Sequence, residues 1–272
     1  AGRPFFLFVH GLDVHRPYRA DEADRLALGL GPRPEENFAR ACHGNPRAPV
    51  QPLVDQYDAA IHRADRFLGR LLARLESKGL RDRTVVVVTA DHGEEFREHG
   101  GCFHIRSLHR EVVEVPLVVR VPGAEPHRVS QVVPASVAVA PTILELVLGD
   151  HGALPGPSLA SLIMGEDPAF DFGYVVSETA TRRTRDGRGG RIRALTGPED
   201  KLIRWIDEGR TAYYDLGRDP GERRPLEVER RETLARVLGA WESRHRRLAG
   251  ASSPARVSEK LERRLRSLGY VH

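Results

Sequence analysis

Two side chains that can bind a metal ion, Asp91 and His92, directly follow an apolar run at residues 84–90. The β-branched residues of this run predict a strand buried on both faces, as in a parallel sheet. Open α/β sheets place their ligand sites at the carboxyl ends of such strands. An ionised carboxylate there is costly unless it is paired or binds a cation. We therefore interpret Asp91 and His92 as candidate ligands of a divalent cation. The alternative is a turn-capping Asp beside a surface His.

Three further histidines lie in loops that follow predicted strands. His99 and His104 share the loop after Asp91, and His15 follows a second apolar run, residues 5–9, which we predict to be a buried strand. Imidazole titrates near neutral pH, so each ring could bind an anionic ester or protonate a leaving group. If the strand ends converge on one sheet edge, His15 faces Asp91 across a cleft. The alternative for each ring is an ordinary solvated loop histidine.

The elements that must position these side chains form two groups along the chain. Before Gly149, a polar loop at residues 10–18 is followed by a long surface loop or lid that extends to about residue 54. An amphipathic helix comes next at residues 57–75, with Asp55 as N-cap and Gly79 as its stop. This part has too few predicted strands and helices for a complete parallel sheet, so we expect the chain to be a fragment of a longer protein. The other predicted elements are a strand at 116–122, a helix at 137–148, short strands at 174–176, 192–195, 201–206 and 213–216, and helices at 231–248 and 258–268.

Composition narrows the classes of function. The chain has 272 residues, a net charge of +4 and 40% hydrophobic residues. Its arginines are spread along the chain rather than gathered with aromatic residues, which argues against a nucleic-acid partner. No apolar run approaches the roughly 18 residues of a membrane span. With only two cysteines, Cys42 and Cys102, we expect no disulfide framework, and the redox compartment stays open.

Several motifs in order give the chain a family resemblance from residue 4 to about residue 225. The sequence resembles the sulfatase family of the alkaline-phosphatase-like superfamily. The matching segments are Pro-Phe-Phe-Leu-Phe-Val-His at 4–10, His-Arg-Pro-Tyr at 15–18, the helix with Ile61, Asp65 and Gly69 in step, the 84–93 strand, Glu-His-Gly at 98–100, and Tyr-Asp-Leu to Asp-Pro-Gly-Glu at 214–222.

The resemblance implies a fold and a set of roles. We expect an α/β, alkaline-phosphatase-like sheet flanked by helices, incomplete at its N-terminus, in residues 1–165. A C-terminal subdomain with a small antiparallel sheet and terminal helices would follow in residues 166–272. Asp91 and His92 would be two ligands of one cation, Ca²⁺ by family expectation, with Mg²⁺, Mn²⁺ or Zn²⁺ still possible. The substrate site would contain His15 and His104 as catalytic residues, with His99 as a further substrate-binding residue.

The implied function is a sulfuric ester hydrolase that acts on an anionic ester. Its nucleophile in the family is a formylglycine, but the Cys/Ser-x-Pro-Ser-Arg segment that supplies it is absent here. We expect this segment upstream of residue 1 and the isolated chain to be inactive. His104 stands where many sulfatases have Lys, so a phosphodiesterase or phosphonate monoester hydrolase, or a non-catalytic remnant, remains an alternative. The sequence gives no signal for oligomeric state or compartment. We expect a soluble chain, with any signal peptide or membrane segment before residue 1.

Overall fold

The computed structural model describes residues 4–32, 42, 49–104, 106–150, 154, 156–166, 172–181, 190–226 and 231–249. The chain divides into two compact units, residues 1–227 and 228–272. The described helices are α1 (Glu22–Ala27), α2 (Gln51–Ser77), α3 (Arg110–Val113), α4 (Ala135–Leu148), α5 (Ala160–Met164) and α6 (Arg231–Ala249). The strands are β1 (Val86–Thr89), β2 (Glu95–Phe96), β3 (Cys102–Phe103), β4 (Leu117–Arg120), β5 (Val175–Thr181), β6 (Gly190–Thr196), β7 (Asp200–Trp205) and β8 (Arg210–Asp215).

The long helix α2 confirms the prediction from apolar periodicity. It begins at Gln51, four residues before the predicted N-cap Asp55, because Pro52 is well suited to a first helical turn. Its first turns bury Leu53, and the chain leaves the helix at Gly79, whose φ of +63° suits glycine. Leu53 and Ala60 of this helix share a core with Tyr18 and Phe103.

The pairing of β1 differs from the prediction. β1 pairs with β4 in antiparallel register, with Val87 opposite Val119, and its residues are only half-buried or exposed. The prediction of a parallel strand buried on both faces is therefore wrong for the described residues. Parallel neighbours are usually joined by a crossover helix, whereas the β1–β4 connection contains only short strands and the four-residue α3.

The apolar run at residues 5–9 is also different from its prediction. It forms no strand, and the side chains of Phe6 and Phe8 are 77% and 76% exposed. An isolated extended segment has no partner for its backbone N–H and C=O groups, and no described strand pairs with it. Apolar sequence alone was therefore insufficient to make this segment a buried strand.

The second predicted group of elements is confirmed as a four-stranded antiparallel sheet in the order β5-β6-β7-β8. Its core combines Ile192, Ile203, Trp205 and Tyr214 with Leu108, a residue of the loop that precedes α3. The sheet is thereby packed against the segment that follows the candidate site. Helices α4 and α6 lie at the predicted positions, whereas the predicted helix at 258–268 lies outside the described residues. The domain boundary at residue 165 stays a prediction.

A disulfide joins Cys42 and Cys102, which corrects the expectation of no disulfide framework. The Cα atoms lie 5.8 Å apart, within the range of ordinary disulfides. The sequence concealed this pairing because the two residues are 60 positions apart. The bond ties residue 42, in the segment predicted to be a lid, to strand β3 beside the candidate site.

Candidate functional site

A short hairpin places two ionisable side chains next to each other. β2 and β3 pair with Glu95 opposite Phe103, so the residues just outside the pair, Glu94 and His104, are brought together. The Nδ1 atom of His104 lies 2.8 Å from Oε1 of Glu94. The hairpin therefore supplies His104, which the sequence predicted, together with Glu94, which sequence reasoning missed. The sequence signal that could have revealed Glu94 is its position at one end of a short hairpin whose other end carries His104.

A buried phenol completes the surroundings of Glu94. The hydroxyl of Tyr18 donates a hydrogen bond of 2.7 Å to Oε2 of Glu94. Burial and the neighbouring Glu94 carboxylate raise the pKa of Tyr18 well above its usual value, so the phenol keeps its proton. Both oxygens of this buried carboxylate are thus engaged, and Glu94 is fixed as the acceptor for His104.

Three of the predicted histidines meet at this hairpin. The ring of His104 stacks on His92 with a centroid distance of 3.8 Å and lies 5.5 Å from the ring of His15. The convergence of His15 with the residues after β1 is therefore real, although it arises without the predicted parallel sheet. Together with Asp91, these rings form what we call the histidine cluster.

The three rings of the histidine cluster share one hydrogen-bonding pattern. Nδ1 of His15 lies 2.8 Å from the carbonyl of Arg16, and Nδ1 of His92 lies 2.9 Å from the carbonyl of Gly93. Carbonyl oxygens only accept, and a carboxylate occupies the same place at His104. Nδ1 therefore carries the proton in each ring. In the neutral form, Nε2 keeps its lone pair for a metal ion or an exchangeable proton.

Asp91 and His92 are suited to holding one divalent cation. Oδ1 of Asp91 lies 3.7 Å from Nε2 of His92, and the Asp91 side chain is 65% exposed. A carboxylate with an imidazole lone pair suits Ca²⁺ or Mg²⁺ through oxygen, and Mn²⁺ or Zn²⁺ through nitrogen. The next residue must be glycine, because a Cβ on Gly93 would lie 2.1 Å from the carbonyl oxygen of Glu111.

His99 has other partners than the histidine cluster. Its Nδ1 lies 2.7 Å from Oε1 of Glu111, and its Nε2 lies 2.8 Å from the carbonyl oxygen of Glu222. Both ring nitrogens therefore bind protein acceptors. A substrate contact would require His99 to give up one of these bonds, so we leave it out of the site proposed below.

The turn at residues 219–222 carries a buried ion pair. Glu222 is 2% exposed, and its carboxylate receives Nζ of the equally buried Lys201 at 2.9 and 3.1 Å. Burial lowers the pKa of Lys201 and raises that of Glu222, while each charge opposes the shift of the other. The turn is therefore anchored to strand β7.

Among the described residues, one trio of His and Glu side chains has mutually close ligand atoms, within 4.8 Å: His99, His109 and Glu111. Its geometry does not suit a metal ion. The rings of His99 and His109 stack face to face at 3.6 Å, and the nitrogens of His109 already contact Ser107 and Tyr214. We interpret this trio as a hydrogen-bonded network rather than a second metal centre.

The buried position of His109 predicts sensitivity to acid. Burial lowers the pKa of His109 to about 3, aided by the nearby charges of His99 and Lys201. Between pH 6.5 and about 3, His109 binds a proton in the unfolded state but stays neutral in the native state. The free energy of unfolding therefore falls as pH falls. The slope contributed is at most about 1.4 kcal/mol per pH unit. The free energy of unfolding, measured with denaturant between pH 7 and 4, should depend less steeply on pH in His109→Gln than in the unchanged protein.

The control for this experiment is His10→Gln, which changes an exposed histidine near the chain start. Its pH slope should match that of the unchanged protein. Equal slopes in the His109→Gln variant and the unchanged protein would contradict the assignment of His109 as a buried neutral imidazole.

Comparison with known proteins identifies the family to which the chain belongs. The family model "Sulfatase" matches residues 1–149, more than half of the chain. The chain therefore belongs to the sulfatase family of the alkaline-phosphatase-like superfamily, which confirms the resemblance seen in its motifs. Members of this family typically use a divalent cation. Among the described residues, no helix is both long and apolar enough to cross a membrane.

Individual relatives agree with this class. The chain is 28% identical to an endo-4-O-sulfatase of Bacteroides thetaiotaomicron over 169 residues, covering 60% of this chain and 33% of that protein. It is 33% identical to the multifunctional alkaline phosphatase superfamily protein PehA of Trinickia caryophylli, covering 81% of this chain and 51% of that protein. A phosphonate monoester hydrolase structure from Silicibacter pomeroyi matches with a TM-score of 0.58 and 25% identity, covering 83% and 48%. The chain thus spans between a third and about a half of these relatives.

Proposed function

We propose that this chain contributes the histidine cluster to the active site of a hydrolase that cleaves a sulfate ester with the help of a divalent cation. The observation that carries the proposal is the convergence of His15, His92 and His104 with Asp91, each ring protonated at Nδ1. Family membership supplies the reaction class, and this geometry supplies residues for it.

In this proposal, Asp91 and His92 hold the cation. The bound cation would neutralise the negative charge of the ester group and stabilise the charge that shifts during transfer. Asp91 offers a charged oxygen, and its Oδ1 also accepts the backbone N–H of His92 at 3.1 Å, which orients the carboxylate. The carbonyl of Gly93 fixes the His92 tautomer so that Nε2 can serve as a ligand. The expected metal is Ca²⁺, with Mg²⁺, Mn²⁺ and Zn²⁺ as alternatives.

The two remaining rings bind and protonate the substrate in this proposal. His104 is held at Nδ1 by the buried Glu94, which fixes the orientation of its ring. Its Nε2 can then donate a proton to the departing alcohol. A protonated His15 would donate its Nε2–H to an oxygen of the ester anion. Glu94 and Tyr18 act through His104 by fixing its ring.

The nucleophile is proposed to come from outside these 272 residues. The sequence has no Cys/Ser-x-Pro-Ser-Arg segment to supply a formylglycine, and Cys42 is bonded to Cys102 rather than free. The chain also spans only a third to a half of its compared relatives. We therefore propose that it is one portion of a longer enzyme and has no ester hydrolysis of its own.

Two observations favour a second candidate, hydrolysis of phosphonate monoesters or phosphodiesters. The first is the 25% identity to the phosphonate monoester hydrolase structure over most of this chain. The second is the presence of His104 where many sulfatases have Lys, which changes the group that meets the ester oxygen. Sulfate monoesters, phosphonate monoesters and phosphodiesters are all monoanions near neutral pH but differ in their central atom and its substituents. Direct comparison of turnover therefore separates the two candidates.

The test compares two proteins, this 272-residue chain and the longest open reading frame that encodes it. Each is assayed with an aryl sulfate, an aryl phosphodiester and an aryl phosphonate monoester, with and without a chelator. The proposal expects the longer protein to hydrolyse the sulfate fastest and to lose this activity on chelation, with the shorter chain at background. Faster turnover of a phosphorus ester would favour the second candidate. Absence of turnover in both proteins would favour a non-catalytic remnant.

A further inference from the structure

We propose that His99 is held as an imidazolium and acts as a positioning residue for the β2–β3 hairpin, which carries Glu94 and His104. The proposal rests on the proposed function only in giving this hairpin a place in the active site. The sequence predicted that His99 binds substrate. The proposal gives it a structural task instead.

The hydrogen bonds of His99 require two ring protons. The carbonyl oxygen of Glu222 faces Nε2 at 2.8 Å and can only accept. The carboxylate of Glu111 faces Nδ1 at 2.7 Å and, when ionised, also only accepts. A neutral imidazole has one N–H and could satisfy one of these acceptors. Two donors are available only in the protonated ring.

The surroundings of His99 favour its positive charge. Burial by itself lowers the pKa of His99, but the bonds to Glu111 and the Glu222 carbonyl, with the charge of Glu95, more than offset burial and raise it. The neutral ring of His109 stacks on it at 3.6 Å and adds no competing charge near pH 7. The titratable and charged groups of this network are Glu95 on β2, Arg110 and Glu111 on α3, His109 before α3, Lys201 on β7, Arg210 and Tyr214 on β8, and Glu222 in the turn.

An imidazolium at position 99 joins three separate segments. His99 belongs to the loop between β2 and β3, Glu111 to helix α3, and Glu222 to the turn after β8. The same hairpin loop is bound from within by Glu95, whose carboxylate accepts the backbone N–H groups of Gly101 at 2.7 Å and His99 at 3.2 Å. The tip of the hairpin is thereby fixed to its neighbours at both ring nitrogens.

Fixing the tip also fixes the base of the hairpin. The two strands are only two residues long, so few ladder hydrogen bonds hold the register that brings Glu94 beside His104. Loss of one proton from His99 would remove one of its two bonds and loosen the loop. Because the pKa of His99 is raised, this contribution is complete below about pH 6.5 and is lost as pH rises through the raised value.

The test uses the 272-residue chain without metal or substrate. Imidazole ¹⁵N spectra at pH 7 report how many protons each ring carries, and amide hydrogen exchange reports protection of residues 95–104. We expect His99 to carry a proton on both nitrogens. We expect His99→Gln, which cannot donate in both directions, to lower the protection factors of the hairpin about tenfold. The ¹⁵N signals of His104 should also shift, while the β6–β7 amides keep their protection.

The matched control is His127→Gln, since both nitrogens of His127 also face hydrogen-bond acceptors, in this case the backbone carbonyls of Glu125 and Leu162. This variant should leave the hairpin amides and the His104 signals unchanged. A single ring proton on His99 at pH 7, or unchanged hairpin protection in His99→Gln, would overturn the proposal. Should His99→Gln fail to fold, the proton count in the unchanged protein still decides. Because no turnover is measured, failure of the proposed ester hydrolysis would leave this result standing.

Discussion

Replacing Lys201 with methionine should lower the free energy of unfolding by about 3–5 kcal/mol, the usual effect of breaking a buried ion pair. Lys201 and Glu222 have side chains that are 1% and 2% exposed, so water cannot replace the lost ammonium group. Methionine fills much of the space of the lysine stem, so most of the loss reflects the unpaired carboxylate. Urea unfolding followed by circular dichroism at pH 7 measures the effect.

Two controls separate the charge from other effects of the substitution. The double variant Lys201→Met with Glu222→Gln should recover part of the loss, because neither charge then remains buried. The more accessible pair Arg193–Glu178, with side chains 28% and 58% exposed, provides the comparison, and Arg193→Met should change the free energy of unfolding by at most about 1 kcal/mol. If the single and double Lys201 variants are equally destabilised, the charge pair is not the source of the effect.

Replacing Asp91 with asparagine should reduce metal-dependent turnover of the proposed enzyme by at least about 100-fold, since loss of even an outer-shell partner of a metal ligand costs 10–100-fold. Asparagine keeps the shape of the side chain and an oxygen that can accept the N–H of His92. It removes a negative charge that strengthens the binding of a hard divalent cation. Turnover is measured on the longer protein over a range of Ca²⁺ concentrations, with cation affinity determined separately by titration.

The control for this effect is Asp82→Asn, a substitution at a carboxylate that is 88% exposed and pairs with Arg120. Its turnover and Ca²⁺ dependence should equal those of the unchanged enzyme. Turnover of Asp91→Asn within threefold of the unchanged enzyme would remove Asp91 from the metal site. Weaker Ca²⁺ affinity with full turnover at saturating Ca²⁺ would confine its role to binding the ion.

The C-terminal sheet bears on the site through contacts that join distant parts of the chain. Lys201 on β7 holds Glu222, whose carboxylate also accepts the backbone N–H of Arg110 at 3.2 Å. Leu108 packs into the core of the same sheet. Residues that the sequence assigned to a separate subdomain therefore support the loops next to the proposed active site. Unfolding measurements on Lys201 variants test its contribution to global stability. Hydrogen exchange on His99 variants tests its contribution to the local stability of the β2–β3 hairpin.

The local elements were determined by the sequence itself. Helix α2 was predictable because apolar side chains recur at the helical period over many turns, and Gly79 supplies the left-handed residue that ends it. Strands β5 to β8 were predictable because short apolar runs alternate with turn residues. The motifs around Asp91 and His92 likewise indicated the family correctly. All of these signals lie within a few neighbouring residues.

Only the tertiary structure decided which distant groups meet. The antiparallel partner of β1, the exposure of residues 5–9 and the bond between Cys42 and Cys102 depend on segments far apart in the chain. The same is true of Tyr18, which reaches Glu94 across 76 positions, and of His99, which reaches the Glu222 carbonyl across 123 positions. A residue type states which hydrogen bonds a side chain can make, but only packing decides which partner lies at bonding distance. For that reason the sequence named His99 as a candidate for binding, and the structure gave it two partners within the protein.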